Sequence, residues 1–353
     1  MPEDTNPYSI RIFLPDDVKK EKGNQHLSKS MNQYDNSTDK EQWEVEKART
    51  SGEYTLTGSS DVQTGQGANS KKDPVTRKPT ITDVRGLKSA GYNSFVAVTA
   101  VDYFQAVFAA EAGADVINVN DVGVSRRLLG REAGLDYSAT IDEMIMATKA
   151  VKRGSGSCLV ITSIPFTYYN TPQEAVHSAS RIMRETGADA VHMEGGPVES
   201  VKAVCEAGWP VLGHAGLNKY HFSSTGSYKS IGKKTTEAQQ ILDYSRELEK
   251  AGAFCIVLEG IPTPLGKLIT DTLSVCTCGI GAGKYCNGQF LVTEDFMGYM
   301  PDFKPKFVKR YADMNSYFVN GIKSFIQDVK AGNFPDVQHS YNIKDDSYLR
   351  ELK

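Results

Sequence analysis

The chain has 353 residues, 40% hydrophobic and 24% charged, with a formal net charge of −3. That length can bury one large core or two, and the mild acidity gives no basic field of the kind that draws nucleic acid. No apolar run reaches the ~18–20 residues of a membrane helix, and the polar start MPEDTNPYSIRIFLPDDVKK lacks a secretory h-region, so a cytoplasmic location, with no membrane partner, is the expectation.

Residues 1–78 read as a polar, partly disordered extension. Ile10–Leu14 is its one apolar piece, and Trp43, Tyr54 and Leu56 are the residues expected to anchor it. From residue 79 short apolar runs alternate with helical stretches. The runs are NSFVAVTAV, DVINVND, SCLVITSIP, ADAVHME, PVLGHAG, FCIVLEG, VCTCGIG and GQFLVTED. The helical stretches include FQAVFAAEAGA, TIDEMIMATKAVKRG, TPQEAVHSASRIMRETGA, VESVKAVCEAGW and TTEAQQILDYSRELEKAGA.

Thr171-Pro172-Gln173-Glu174 has an N-cap, a proline in the first turn and an acid behind it, which starts a helix. Strands that are apolar throughout belong to a parallel sheet covered on both faces. Eight strand–helix units over 79–312 predict an α/β fold, a (β/α)8 TIM barrel, over a doubly wound open sheet, because no GxGxxG follows the first strand. Residues 313–353 read as a C-terminal helix that packs on the barrel, followed by a polar tail. The six cysteines lack paired CxxC spacing and read as buried, reduced thiols.

Barrels of this kind work at the C-terminal ends of their strands. Those ends carry Asp102, Asp121, Ser163, His192 and Glu194, His214, Glu259, the glycine-rich 279–283 turn, and Glu294-Asp295. Each carboxylate alone could cap the next helix, and the glycines could serve either a tight turn or an anion. Together, charges converging on one mouth call for a ligand, because burying them unpaired is costly. A desolvated Glu there can act as a base toward a carbon acid, and a metal held by oxygens can stabilise the resulting enolate.

The segments VTAVDYFQA (98–106), INVND (117–121), IPFTYYNTPQEA (164–175), HMEGG (192–196), GHAGL (213–217), VLEGIP (257–262), GIGAG (279–283), NGQFLV (287–292) and PKFVKRY (305–311) occur in that order. This string resembles the ketopantoate hydroxymethyltransferase family, within the phosphoenolpyruvate mutase/isocitrate lyase superfamily. The resemblance implies a homo-oligomer that forms an enolate from a 2-oxo acid. It also implies Mg²⁺ or another divalent metal, and 5,10-methylenetetrahydrofolate as one-carbon donor.

By the same resemblance Glu259 falls on the base, Asp121 and Glu194 on the metal side, and Val122, Ser163, His192 and His214 on the substrate side. Three positions depart from the pattern: Ser163 stands for a metal-ligating aspartate, His192 for a lysine, and Val122 for a serine. Those changes point to altered substrate or metal use, and His192 opens a mixed nitrogen–oxygen site for Mn²⁺, Fe²⁺, Co²⁺ or Zn²⁺. The alternatives are a retro-aldol lyase of the same superfamily, disfavoured by the missing KKCGH loop, and a silent barrel used for binding or assembly.

Overall fold

The computed structural model describes residues 78–130, 138–218, 229–302, 304–345 and 347–352. The expectations for the segment before residue 78, including its anchors, lie outside the described residues. Eight strands run in chain order: β1 Phe95–Thr99, β2 Val116–Val119, β3 Leu159–Ser163, β4 Ala190–His192, β5 Val211–Gly216, β6 Cys255–Glu259, β7 Cys276–Ile280 and β8 Gly288–Leu291. All pair in parallel with their sequence neighbours, and β8 returns to β1, closing the barrel. The (β/α)8 expectation holds, each predicted apolar run supplying one strand.

The longer helices among the described residues are α1 Ile81–Gly86, α2 Tyr103–Glu111, α3 Ile141–Gly154, α4 Pro172–Thr186, α5 Val198–Glu206, α6 Thr235–Lys250, α7 Thr263–Thr272 and α8 Met314–Ala331. Local chemistry sets their ends. Thr171 caps α4, its hydroxyl accepting from the Glu174 amide at 3.3 Å while the Glu174 carboxylate accepts from the Thr171 amide at 3.1 Å. Gly187, at φ +66°, ends α4 in the left-handed conformation that glycine adopts without a Cβ penalty.

Inside the barrel, Phe95, Leu159, Ile161, Leu212, Phe254, Val257 and Phe290 fill the interior. Between barrel and helices lies a second core that includes Ile164, Tyr169, Ile182, Met193, Leu248, Leu258 and Ile269. At ~1.5–3 kcal/mol for each large side chain buried, these two layers outweigh the surface ion pairs, worth at most about 1 kcal/mol each.

The C-terminal helix differs from expectation. None of the residues of α8 is buried, and Phe318, Ile322, Phe325 and Ile326 of its apolar face are exposed. It is well capped at both ends, by the Asp313 side chain and by Gly332 at φ +74°. The amphipathic period that predicted a helix is present; what the sequence could not give was the surface it covers.

Gly216 closes β5 at φ +103°, and a Cβ placed there would overlap the carbonyl oxygen of Glu259 on β6. Gly216→Ala is therefore expected to lose about 2–3 kcal/mol, a strained backbone plus a displaced strand. Gly187→Ala, in the same φ region but with open space around it, should lose about 1 kcal/mol or less. Denaturant midpoints of the two variants compare these directly; equal losses would show that the contact with Glu259 does not matter.

Candidate active site

The C-terminal end of the barrel gathers the expected residues, and each strand contributes by ending. Asp121, fully buried, opens a short helical turn after β2 and accepts a hydrogen bond from the Val122 amide at 3.0 Å. Val122 follows it, half-buried. Ser163 ends β3 directly opposite His192, which ends β4. Glu194 lies two residues beyond His192 and is buried, His214 is buried within β5, and Glu259 ends β6 with its side chain 20% exposed.

Five polar side chains from five successive strands are in contact. Ser163 Oγ lies 3.2 Å from His192 Nδ1, and the Asn118 amide nitrogen on β2 lies 3.3 Å from the same atom. The Ser163 hydroxyl also reaches Asn118 Oδ1 at 3.4 Å. His192 Nε2 meets His214 Nδ1 at 3.3 Å, the two rings stacked with centroids 5.4 Å apart. His214 Nε2 faces the Leu217 carbonyl at 3.3 Å and Glu259 Oε2 at 3.4 Å.

Asn118 was not singled out in the sequence, although a polar residue inside the apolar run VINV was the available signal. Tyr169 was also missed. It is buried and donates to the Glu194 carbonyl at 2.8 Å. Burial, and then the charges of Glu194 and Asp121, push its phenol well above the usual range, so it stays a neutral donor.

Other strand-end candidates turn out to serve the fold. Asp102 caps α2, accepting from the Gln105 amide at 2.8 Å, and pairs with Arg127 at 2.8 Å. Arg127 also reaches Glu294 at 3.2 Å, while Gln105 and Thr99 donate to the same carboxylate at 2.9 and 3.2 Å. This network holds the seam between β1 and β8. Burial, and then the neighbouring Glu294, raise the Asp295 carboxyl to about 6. In the 279–283 turn, Gly283 at φ +85° packs against Thr263 with no room for a Cβ, so tight packing accounts for that glycine.

The donor chemistry fits a divalent cation. Glu194, His214 and Glu259 each offer one ligand atom, all within 4.8 Å of one another. Two carboxylates and an imidazole suit Mn²⁺, Fe²⁺, Co²⁺ or Zn²⁺ better than Mg²⁺, which prefers oxygen and water. Ser163 offers only a neutral hydroxyl on the opposite side of His192.

Residues 78–337 match the family model of ketopantoate hydroxymethyltransferase. The chain is 41% identical over 258 residues to 3-methyl-2-oxobutanoate hydroxymethyltransferase of Clostridium beijerinckii, covering 72% of this chain and 92% of the relative. It is 40% identical over 278 residues to the enzyme of the same name from Oleidesulfovibrio alaskensis, covering 78% of this chain and 94% of the relative. Among solved structures, a phosphonopyruvate hydrolase superposes with a TM-score of 0.51 at 13% identity, covering 76% of this chain and 92% of that one, a likeness of fold alone. The chain belongs to the ketopantoate hydroxymethyltransferase family.

Proposed function

We propose that the protein transfers a hydroxymethyl group to a 2-oxo acid, with Glu259 as the base that forms the enolate. The supporting observation is the placement of Glu259 at the mouth, one oxygen 3.4 Å from His214 Nε2 and the side chain partly open to solvent. The relatives' name, 3-methyl-2-oxobutanoate hydroxymethyltransferase, supplies the substrate class. Glu259 takes the proton on the carbon beside the ketone, breaking C–H and forming O–H on the carboxylate. The carbon then bonds to a one-carbon unit at the aldehyde level, whose C=O π bond opens to an alkoxide that takes up a proton; in the family resembled that unit comes from 5,10-methylenetetrahydrofolate and water, with tetrahydrofolate released.

By the family resemblance Asp121 and Glu194, both buried, would hold a divalent cation in this reaction, although among the described residues the ligand atoms that converge on Glu194 are those of His214 and Glu259 and not that of Asp121. Such a cation, when bound, polarises the ketone and stabilises enolate charge. Ser163, His192 and Val122 set the polarity around the acid's carboxylate and ketone, so the preferred acid is expected to differ from that of relatives with an aspartate, a lysine and a serine there. Deuterium exchange at C3 of a panel of 2-oxo acids, followed by NMR without any folate, tests the base independently of the donor.

The convergence of Glu194, His214 and Glu259 supports a second reading, in which those three ligate a transition metal and Glu259 is not free to act as base. Exchange that Mn²⁺, Co²⁺ or Zn²⁺ suppresses and a chelator restores would favour it. Exchange that a divalent metal promotes favours Glu259 as base.

We also propose that the protein is a homo-oligomer assembled through α8. Most helical stability in proteins comes from packing of an amphipathic face, yet no residue of α8 is buried, and of its apolar face Phe318 rests against an aromatic ring of the barrel segment, Tyr299, with centroids 6.1 Å apart. A second copy of the chain is the expected cover. Light scattering should give a multiple of the 38.7 kDa chain mass for the full chain, and a smaller species once residues 314–353 are removed. A monomeric full chain at micromolar concentration would sink this reading.

A further inference from the structure

We infer that Asn118, Ser163 and His192 are positioning residues. Through one directed line of hydrogen bonds they fix which nitrogen of His214 carries its proton, and so how Glu259 is held. The catalytic consequence rests on Glu259 being the base as proposed above, and the direction of the line is that of the metal-free protein, in which His214 Nε2 faces Glu259 with a proton rather than a metal ion between them.

The direction is set at the Glu259 end. His214 Nε2 faces the Leu217 carbonyl at 3.3 Å and a carboxylate oxygen of Glu259 at 3.4 Å, both acceptors, so Nε2 carries the proton. A neutral imidazole has a single N–H, which leaves His214 Nδ1 as an acceptor. Its partner at 3.3 Å is His192 Nε2, which therefore donates, and His192 Nδ1 becomes an acceptor in turn. That atom is met by the Asn118 amide nitrogen at 3.3 Å and the Ser163 hydroxyl at 3.2 Å, both able to donate.

Two protons on four ring nitrogens satisfy the ring–ring contact and the Glu259 end; at His192 Nδ1 the Asn118 amide and the Ser163 hydroxyl compete for one lone pair, the hydroxyl also being directed at Asn118 Oδ1 at 3.4 Å. Each link comes from the next strand, β2 to β6. Both rings are 3% exposed, so neither can swing into solvent to repair a misplaced proton.

The line gives Ser163 a role that depends on its being neutral. A hydroxyl can donate to His192 Nδ1, whereas an ionised carboxylate at the same place could only accept. Ser163→Asp would draw a proton onto His192 Nδ1 and reverse the line. His214 Nε2 would then turn a lone pair toward Glu259, and the carboxylate would lose the donor His214 supplies. A reacting group misplaced in this way loses on the order of 10²-fold in rate. The loss is expected in kcat rather than KM, because the carboxylate that moves is the one that takes the proton.

The experiment is ¹⁵N NMR of the full chain labelled at histidine, with a chelator present. The signals of His192 and His214, two of the six histidines, are assigned with His192→Gln and His214→Gln. In the unaltered protein both rings should show Nε2 protonated and Nδ1 unprotonated. A His214 with bare Nε2, or a third proton on the pair with the Asn118 amide turned over, overturns the inference.

In Ser163→Asp the His192 Nδ1 signal should move to the protonated position, and Ser163→Thr, which keeps the hydroxyl, should return it. A folded Ser163→Asp with an unchanged His192 spectrum also overturns it, and if that variant does not fold the unaltered protein still decides. Failure of the base reading is separable: no deuterium exchange together with the expected ¹⁵N pattern removes the catalytic role of Glu259 and leaves the line intact.

Discussion

Glu259→Gln is expected to lower C3 deuterium exchange of the preferred 2-oxo acid by about 10²–10⁴-fold, the range set by removing a positioned base. Glutamine keeps the length and the ability to accept from His214 Nε2, so packing at the mouth should hold while the proton acceptor is lost. Circular dichroism and the oligomer mass check that the variant is folded. With the wild-type protein, exchange should be followed with and without Mg²⁺, Mn²⁺, Co²⁺ and Zn²⁺. Exchange that survives in a folded Gln variant would move the base elsewhere, and no exchange by the wild type with any acid or metal would leave the silent barrel as the better account.

The second large effect lies at the opposite end of the barrel. Asp189, just before β4, accepts from Lys78 at 2.9 and 2.8 Å, from Lys152 at 2.8 Å and from the Val160 amide at 2.8 Å. It thus ties α3, β3 and the entry to α1 to one carboxylate. Burial by itself would raise its pKa, but the hydrogen bonds from Lys152, Lys78 and Val160 outweigh it and hold the carboxyl below 3.8. Lys152 is lowered by burial and crowded by the second cation, so the favourable part of this triad resides on the carboxylate.

Asp189→Ala leaves Lys152 half-buried opposite no charge and the Val160 amide without that acceptor. A fully buried pair broken this way costs ~3–5 kcal/mol, and the partial exposure here reduces the expectation to about 2–3 kcal/mol. The sign of the pH dependence follows from the lowered pKa. The stabilisation is present in full above the unfolded value near 3.8 and is lost as pH falls through the lower folded value. Urea midpoints of the two proteins should therefore differ by a constant amount from pH 5 to 8 and converge in acid. A gap that persists to the lowest pH at which both fold would rule out the carboxylate charge as its cause.

The eight strands were legible because a parallel strand covered on both sides leaves a continuous apolar run, as in β2 and β3, buried at each position. Helix starts such as Thr171 were legible because caps act within one turn. The strand-end polar residues could be named for a related reason: Asp121, Ser163, His192, Glu194, His214 and Glu259 each follow an apolar run where a barrel puts its mouth. The same rule also nominated Asp102 and Glu294, which Arg127 draws into the β1–β8 seam. Strand position alone cannot separate a side chain facing the mouth from one paired to a neighbouring loop.

Asn118 escaped notice because its neighbours in sequence are apolar and its partners lie 45 and 74 residues away. The exposed face of α8 escaped for a different reason. Amphipathic periodicity shows that a helix wants a partner and carries no information on whether that partner is its own barrel.

By itself the sequence determined the barrel, the family and the residue types at its mouth, since these depend on local periodicity, capping and motif order. Only the tertiary structure decided which nitrogens of His192 and His214 meet and that His214 turns the other one to Glu259. Hydrogen bonds act over about 3 Å, and only closure of the barrel brings side chains from separate strands within that reach.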